Sequence, residues 1–363
     1  MTVKPTFAFL ACSMTTASAG GLDQSGQPVT LLFRDGRYAE VAVGFWQPTV
    51  DGRDALGTGS GNVYGPITDV FAGIKTDLGG RLSAALIVDE PYGVNVGYPA
   101  NGFLYAGTEA EPGSLGVTGL LRWRLGEVAV HGGLRAERIG AEVSLGGLAY
   151  GSFAGYRWTG DDDWGVGWVA GASWERPEIG LRVALTYGSE IRHALDSQEV
   201  LFGQAGGSTT EITMPQSLNL DFQTGVTPRT LVYGSVRWVD WNGWEVAPAA
   251  LDAAFGPLIT FESDAWTYRL GVGRQLTDAL SAGVEIAHET AIDTMQSPLS
   301  PYDGYTALTI GSSYALPSGV TLTGAVGYHV LGDAEVTTPG NPVPARFDDN
   351  HALAAQLRIG ISF

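Results

Sequence analysis

Apolar and polar positions alternate along this chain in fourteen stretches: 37–46, 68–77, 81–90, 114–124, 127–138, 163–174, 178–188, 212–224, 230–240, 262–275, 279–289, 304–315, 319–330 and 351–363. A period of two sends successive side chains to opposite faces of a strand, so each stretch predicts a strand with one greasy and one mixed face. In 279–289, Leu280, Ala282, Val284 and Ile286 oppose Ser281, Gly283, Glu285 and Ala287. In 319–330, Leu322, Val326, Tyr328 and Val330 oppose Thr321, Thr323 and His329. The last stretch sets Leu353, Leu357, Ile359, Ile361 and Phe363 against Gln356, Arg358 and Ser362. That pattern, ending on an aromatic carboxylate, is expected of the closing strand of a transmembrane barrel.

The connections carry a second regularity. Gly79-Gly80, Leu125-Gly126, Arg176-Pro177-Glu178, Val226-Thr227-Pro228-Arg229, Thr277-Asp278 and Leu316-Pro317-Ser318 lie in brief turns, and each is followed by a strand that ends in a longer connection. Short periplasmic turns alternating with long extracellular loops give this order, and two periplasmic termini require an even strand number. No stretch approaches the roughly 18 uninterrupted apolar residues of a membrane helix, whereas a barrel strand needs only about 9–11. A soluble β-sandwich shares the alternation but accounts for neither the apolar last strand nor the order of turns. The sequence therefore predicts an all-β fold: a transmembrane antiparallel β-barrel of 14 strands over 37–363, with a small N-terminal plug over 20–36.

Composition refines this picture. The balance of 38 acidic against 20 basic residues, a formal charge of -18, excludes a nucleic-acid partner. The 52 glycines, 10 Trp and 14 Tyr fit tight turns, small lumen-facing positions and interfacial aromatic girdles. Lys4, the apolar run from Phe7 to Met14, and Ala17-Ser18-Ala19 before Gly20 predict a signal peptide over 1–19. Cys12, the single cysteine, would leave with it, so no disulfide or cysteine-based metal site is expected. Lipid attachment at Cys12 is disfavoured by the short apolar run ahead of it.

Candidate functional residues follow from the strand pattern. Leu82, Ala84, Leu86 and Val88 of the third strand run into Pro91, which has no amide hydrogen, and Gly93 adds backbone freedom. This pair either breaks the ladder within the wall or ends the strand at the outer rim. A break in hydrocarbon is tolerated only against protein or a cavity, which suits a plugged lumen with a side opening. In the plug, Asp23, Gln24, Ser25 and Gln27 can satisfy lumenal polar groups, while Val29, Leu31, Leu32 and Phe33 can line an apolar cavity. The other reading of this segment is a periplasmic tail.

Phe103, Leu104 and Tyr105, and also Leu195, Val200, Leu201 and Phe202, are apolar residues in long outer connections, where polar ones are the rule. They suggest a capture groove or a loop cap, with lipid-facing packing as the alternative. A fatty carboxylate would need a cation, and Arg135, Arg182, Arg237 and Arg269 have inward parity, though lumenal arginines also brace barrels against acidic residues. Trp238, Trp241 and Trp244, like Trp158, Trp164, Trp168 and Trp174, read as interfacial aromatics. Asp161-Asp162-Asp163 reads as a solvated acidic turn, and the five scattered histidines give no metal-binding spacing. Neither a nucleophile elbow nor a phosphate-binding glycine loop is present, so no enzyme, cofactor or metal is expected.

Four segments then carry a family likeness: Gly20-Gly21-Leu22-Asp23-Gln24-Ser25-Gly26-Gln27, Asp89-Glu90-Pro91-Tyr92-Gly93, Met214-Pro215-Gln216-Ser217-Leu218-Asn219-Leu220 and Arg237-Trp238-Val239-Asp240-Trp241-Asn242-Gly243-Trp244. In this order the chain resembles the outer-membrane long-chain fatty acid and hydrocarbon transporters of the FadL/OmpP1/TodX family. It differs from them in lacking an Asn-Pro-Ala signature in the plug, which is also shorter than is common in the family. The resemblance implies a fourteen-stranded barrel closed by an N-terminal hatch, with capture at an extracellular site and a buried apolar pocket. It also implies exit through a gap at an inward kink of the third strand, where Pro91, Tyr92 and Gly93 match. The expected function is passive transport of long-chain fatty acids or other hydrophobic compounds across the bacterial outer membrane. The alternative is a general porin with an open lumen. Expected partners are outer-membrane lipids and lipopolysaccharide, the hydrophobic substrate and the barrel assembly machinery, with the chain itself a monomer.

Overall fold

The computed structural model describes residues 22–291, 296–338 and 341–363. The expected signal peptide over 1–19 and the first two residues of the plug lie outside them. Fourteen antiparallel strands, counted among the described residues, make the wall. They are β1 Tyr38–Thr49, β2 Ile67–Gly79, β3 Leu82–Asp89, β4 Glu109–Leu125, β5 Val128–Leu145, β6 Tyr156–Arg176, and β7 Leu181–Gly188 continuing as Ile191–Leu201. There follow β8, in two parts Gln204–Met214 and Ser217–Thr227, β9 Thr230–Val239, β10 Ala265–Gln275, β11 Leu280–Glu289, β12 Tyr305–Ala315, β13 Val320–Leu331 and β14 His351–Ser362. Neighbours in sequence pair in space, and β1 closes the sheet by pairing with both β2 and β14, from Tyr38↔Ser362 to Thr49↔His351. Each strand of the wall pairs with a neighbour on both sides, apart from local lapses such as that between β2 and β3, and such closure is the condition for placing backbone in hydrocarbon.

The wall is apolar on the outside. Leu357 is 71% exposed and its neighbour Gln356 5%, so the alternation read from the sequence corresponds to outward and inward directions. Val41, Val43 and Phe45 of β1, Leu308 and Ile310 of β12, and Val326 and Val330 of β13 also face outward. Arg122, Glu137, Arg237, Glu285 and His329 are buried in the lumen. Water would penalise so wide an apolar surface at roughly 25 cal/mol per Å², whereas lipid tails solvate it. The protein is a multi-pass transmembrane barrel, and no helix among the described residues is long and apolar enough to cross a membrane.

The brief turns expected at 79–80, 125–126 and 277–278 are present, with Gly79, Gly80 and Gly126 at positive φ. One outer connection differs from expectation. The region 189–211 is no loop: β7 and β8 run on as a hairpin, Ile191↔Met214 to Leu201↔Gln204, turning at Phe202 and Gly203, both at positive φ. Val200 and Leu201 thus belong to a strand, and Phe202 stands 60% exposed at its tip. Strands β4, β5 and β6 likewise extend beyond their predicted outer ends, raising a collar around the lumen.

Candidate functional site

The third strand loses its partner on one side. Its ladder with β2 runs from Gly79↔Leu82 to Ala72↔Val88, lapses, and resumes only at the single bridge Tyr64↔Val96. Across the lapse, the Val70 amide donates to Glu90 Oε2 at 3.0 Å. On the other side the pairing with β4 persists, but Asp89↔Gly116 is followed by Gly93↔Gly113. Four steps along one strand (89 to 93) match three along the other (116 to 113), a one-residue bulge centred on Pro91.

The backbone freed at the bulge is taken up by the N-terminal segment. Gln24 N donates to Pro91 O at 2.7 Å and Gly93 N to Leu22 O at 3.0 Å, with Asp23 bridging Tyr92 between them. Side chains add further ties: Gln24 Nε2 donates to Gly93 O at 2.7 Å, Ser25 Oγ to Asp89 Oδ2 at 2.6 Å, and Gln27 Nε2 to Tyr92 Oη at 3.0 Å. Asp23 also reaches the far wall, where Arg237 Nε of β9 donates to its Oδ2 at 2.9 Å. Arg237 Nη2 sits 2.8 Å from the same oxygen, off the hydrogen-bonding direction, as a charge contact. The segment therefore crosses the lumen.

Farther along, Leu31 and Leu32 are buried with Ala42, Phe71, Ala85, Ile87 and Leu120 of the inner wall. Each such burial contributes about 1.5–3 kcal/mol. Phe33 lies between two guanidinium groups, Arg182 at 4.7 Å and Arg122 at 5.0 Å from its ring centre, with the His131 ring edge-on at 5.8 Å.

An apolar chamber lies beside the bulge, with about 770 Å³ of empty space including its mouth. Leu22, Tyr92 and Val94 form one side, Pro112, Gly113 and Ile139 of β4 and β5 the next, and Trp158, Leu195, Met214, Trp244 and Phe261 much of the rest, with Ser300 a polar member of the lining. Among the described residues no charged side chain lines it. Of the expected site residues, Tyr92 contributes to it directly. Pro91 and Gly93 shape the bulge, and Asp23, Gln24, Ser25 and Gln27 hold the crossing segment.

The four arginines point inward but away from the chamber and toward protein groups. Arg135 contacts Asp89 at 3.2 Å and Glu137 at 3.3 Å, Arg182 donates to Gln223 at 2.8 Å, and Arg269 lies 3.7 Å from Glu285. Phe103 and Tyr105 are buried above the chamber in a loop layer, Phe103 stacked on Tyr98 at 5.8 Å. Leu104 is tied to the Ala149 amide through its carbonyl. Burial raises the phenols of Tyr98 and Tyr105 in this layer, the latter to about 12, so both stay neutral. The acidic run 161–163 is no turn: it lies within β6, extended beyond its predicted outer end, where Asp162 pairs with Arg138 and Asp163 accepts from the Ala194 amide.

Three tryptophans differ from the interfacial reading. Trp158 and Trp241 are buried, and Trp241 meets Trp244 and Phe261 edge-on at 5.1 and 5.3 Å. Trp158, on the outer extension of β6, and Trp244, in the connection after β9, line the chamber, where an inward aromatic meets loops and not headgroups. Trp164, Trp168 and Trp174 do face outward. Leu195, expected in an outer loop as part of a capture groove or cap, lines the chamber from a strand, and Met214, also a chamber residue, gave no lumenal signal because its strand extension alternates without an apolar outer face.

A family model described as "Outer membrane protein transport protein (OMPP1/FadL/TodX)" matches residues 115–358. Among solved structures, a Pseudomonas aeruginosa FadL homologue superposes with a TM-score of 0.76 at 14% identity, over 93% of this chain and 92% of that one. The P. putida toluene transporter TodX gives a TM-score of 0.67 at 14% identity, over 93% and 92%. The Ralstonia pickettii toluene transporter TbuX gives 0.64 at 13%, over 92% and 91%. At these identities the likeness is one of fold. No curated protein matches the chain significantly.

Proposed function

The chain belongs to the OMPP1/FadL/TodX family of outer-membrane transport proteins, non-catalytic channels for hydrophobic compounds, and from that premise we propose its route and its cargo. The route starts above the collar, enters the apolar chamber, and leaves sideways where the ladder between β2 and β3 lapses. Residues 22–36 act as a hatch that bars the straight path to the periplasm. An interrupted wall beside a lumen filled by its own N-terminal segment supports this reading over an open porin.

The cargo is uncharged and apolar. The observation that carries this is the chamber lining, which offers aromatic and branched walls and no cation. Burying a carboxylate there without a partner would cost several kcal/mol. Long-chain fatty acids, the narrower expectation, would have to draw Arg135 or Arg237 away from Asp89 or Asp23. Toluene, the cargo named for TodX and TbuX, fits such a lining.

The test is uptake of labelled toluene and labelled decanoate into vesicles containing the purified barrel, with conductance recorded in planar bilayers. Faster toluene entry at low ionic conductance is expected. Large steady conductance would favour the porin, and decanoate entry outpacing toluene would overturn the uncharged cargo.

A further inference from the structure

A second seam runs through the wall, between β6 and β7. Below it the two strands pair as far as Val169↔Gly188 and above it from Gly160↔Ser197, and among the described residues no ladder pair joins 161–168 to 189–196. The interval is nine steps on either strand (160 to 169, 188 to 197), so no surplus residue accounts for it. The cause is a mismatch of faces. On β7 three steps separate Gly188 from the next inward residue, Ile191, and on β6 three separate Gly160 from Asp163, where the register with β5 also shifts. Each strand thus reverses its faces once, but at opposite ends of the interval. Between the reversals the inward Gly165 lies opposite the outward Arg192 by count, and the outward Val166 opposite the buried Ile191. Residues opposite each other in a ladder share a face, so none forms here.

Side chains stand in for part of the missing ladder. The Trp168 amide donates to Ser189 Oγ at 2.9 Å and the Ala194 amide to Asp163 Oδ2 at 3.1 Å. On the inside, Gly165 and Gly167 bring no side chain, and β7 fills the seam. A Cβ on Gly167 would stand 2.7 Å from Ile191 Cγ1, and one on Gly165 2.9 Å from His193 Cε1. On the outside, Trp168 packs on Tyr187 at 5.0 Å and Trp164 and Val166 are exposed, while Glu190 and Arg192 follow on β7. Aromatics giving way to charges mark the border between lipid tails and headgroups.

Space lies behind the seam. Ile139, Trp158 and Leu195 of the chamber border its upper end. A second cavity, with about 240 Å³ of empty space including its mouth, reaches the lower end at Trp168, Ser189 and Ile191, and shares Tyr92 and Met214 with the chamber. Irregular backbone is tolerated at membrane depth only where it is buried in protein or lines a cavity.

We infer that the seam between β6 and β7 is a second side port, by which uncharged cargo in the chamber passes into the outer leaflet in parallel with the lapse between β2 and β3. The inference rests on the chamber being the cargo site. Ile191 and His193 close the port by packing on the two glycines, and displacing them opens it without breaking a ladder.

The experiment stitches the port with a disulfide. In a full chain carrying Cys12→Ser, the pair Gly167→Cys and Ile191→Cys brings two Cβ atoms within reach of the roughly 3.5–4.5 Å that a disulfide spans. Uptake of labelled toluene into vesicles should fall severalfold on oxidation and recover on reduction of the same protein. The control pair is Ser313→Cys with Thr323→Cys, ladder partners on β12 and β13 whose hydroxyls lie 2.8 Å apart; oxidising it should leave uptake level. In a separate measurement, N-dodecylmaleimide dissolved in the bilayer should alkylate Ile191→Cys many-fold faster than Thr323→Cys, which lies behind an intact ladder. Equal uptake in the oxidised and reduced port pair, or equal alkylation at the two positions, would overturn the port while leaving the chamber as cargo site. Failure of the wild type to take up toluene while the reagent still reaches Ile191→Cys would overturn the chamber reading and leave the opening.

Discussion

Removing the carboxylate of Asp23 should release the crossing segment from the far wall. In Asp23→Ala the Arg237 guanidinium stays buried and keeps only Asn219 Oδ1, 2.9 Å from Nη1, as a hydrogen-bond acceptor. Breaking a buried pair in this way costs about 3–5 kcal/mol, and the Asn219 contact places the loss near the lower end, about 3 kcal/mol. The bonds from Gln24 and Ser25 to the bulge hold residues 22–27 with about 1 kcal/mol each. The anchor at Leu31, Leu32 and Phe33 lies farther along the segment and is untouched. The loss therefore falls on residues 22–27 and raises their detached population by roughly 10²-fold. Hydrogen exchange followed by mass spectrometry should show that acceleration in peptides covering residues 22–29, with protection of β13 unchanged. Adding Arg237→Met removes both charges, and because an apolar replacement of a buried pair is close to neutral, most of the protection should return. Unaltered exchange in the single variant, or no recovery in the double variant, would refute the lock.

Four further outcomes are expected. Gly113→Phe has no heavy atom within 4 Å of the added Cβ and lines the chamber, so the variant should fold, fill the space and reduce solute uptake into vesicles severalfold or more. Gly93→Val meets Gln24 Nε2 at 2.8 Å and should loosen the hatch contact at the bulge; combined with Pro91→Val, which restores an amide donor, it should lower uptake while heat-modifiable migration in gels reports an intact barrel. Phe33→Ala deletes the ring between Arg122 and Arg182 at a cost of about 3–5 kcal/mol to the anchor, and should raise ion conductance in planar bilayers. Leu357→Arg, on the outward face, should destabilise the barrel by about 2–4 kcal/mol in urea titrations of vesicle-inserted protein if the site lies near the bilayer midplane.

The wall was largely legible in the sequence. All fourteen predicted stretches overlap a strand of the barrel, because in lipid the outer face must be apolar at every second residue and the code is therefore strict. The same code fades above the bilayer. From Ile191 to Glu199 the inward residues include His193, Ser197 and Glu199 and the outward ones Arg192, Asp196 and Gln198, so both faces are polar and the hairpin reads as a loop. Met214 and Trp158 were missed as chamber residues for this reason, Leu195 was placed in a loop and not a strand, and Trp241 and Trp244 were assigned to the rim because an aromatic at a strand end has the same sequence signature whether it turns toward headgroups or inward. Pro91 and Gly93 mark where the ladder breaks or bulges, but the sequence leaves open which neighbour is abandoned: a proline cannot donate to a ladder, and the side that lapses depends on the strand beside it.

By itself, then, the order of residues determined that the chain is an all-β membrane barrel of fourteen strands and which face of each strand meets lipid, since those are local matters of period and solvation. Tertiary structure alone decided that Asp23 meets Arg237 across 214 positions of sequence, that the N-terminal segment bonds to the bulge at Pro91, and that the bulge, β4 to β8 and the connections after β9 and β11 close around one chamber. Closing the barrel brings distant strands to face one another across a lumen a few side chains wide, and that proximity is set by how the cylinder closes and not by any spacing along the chain.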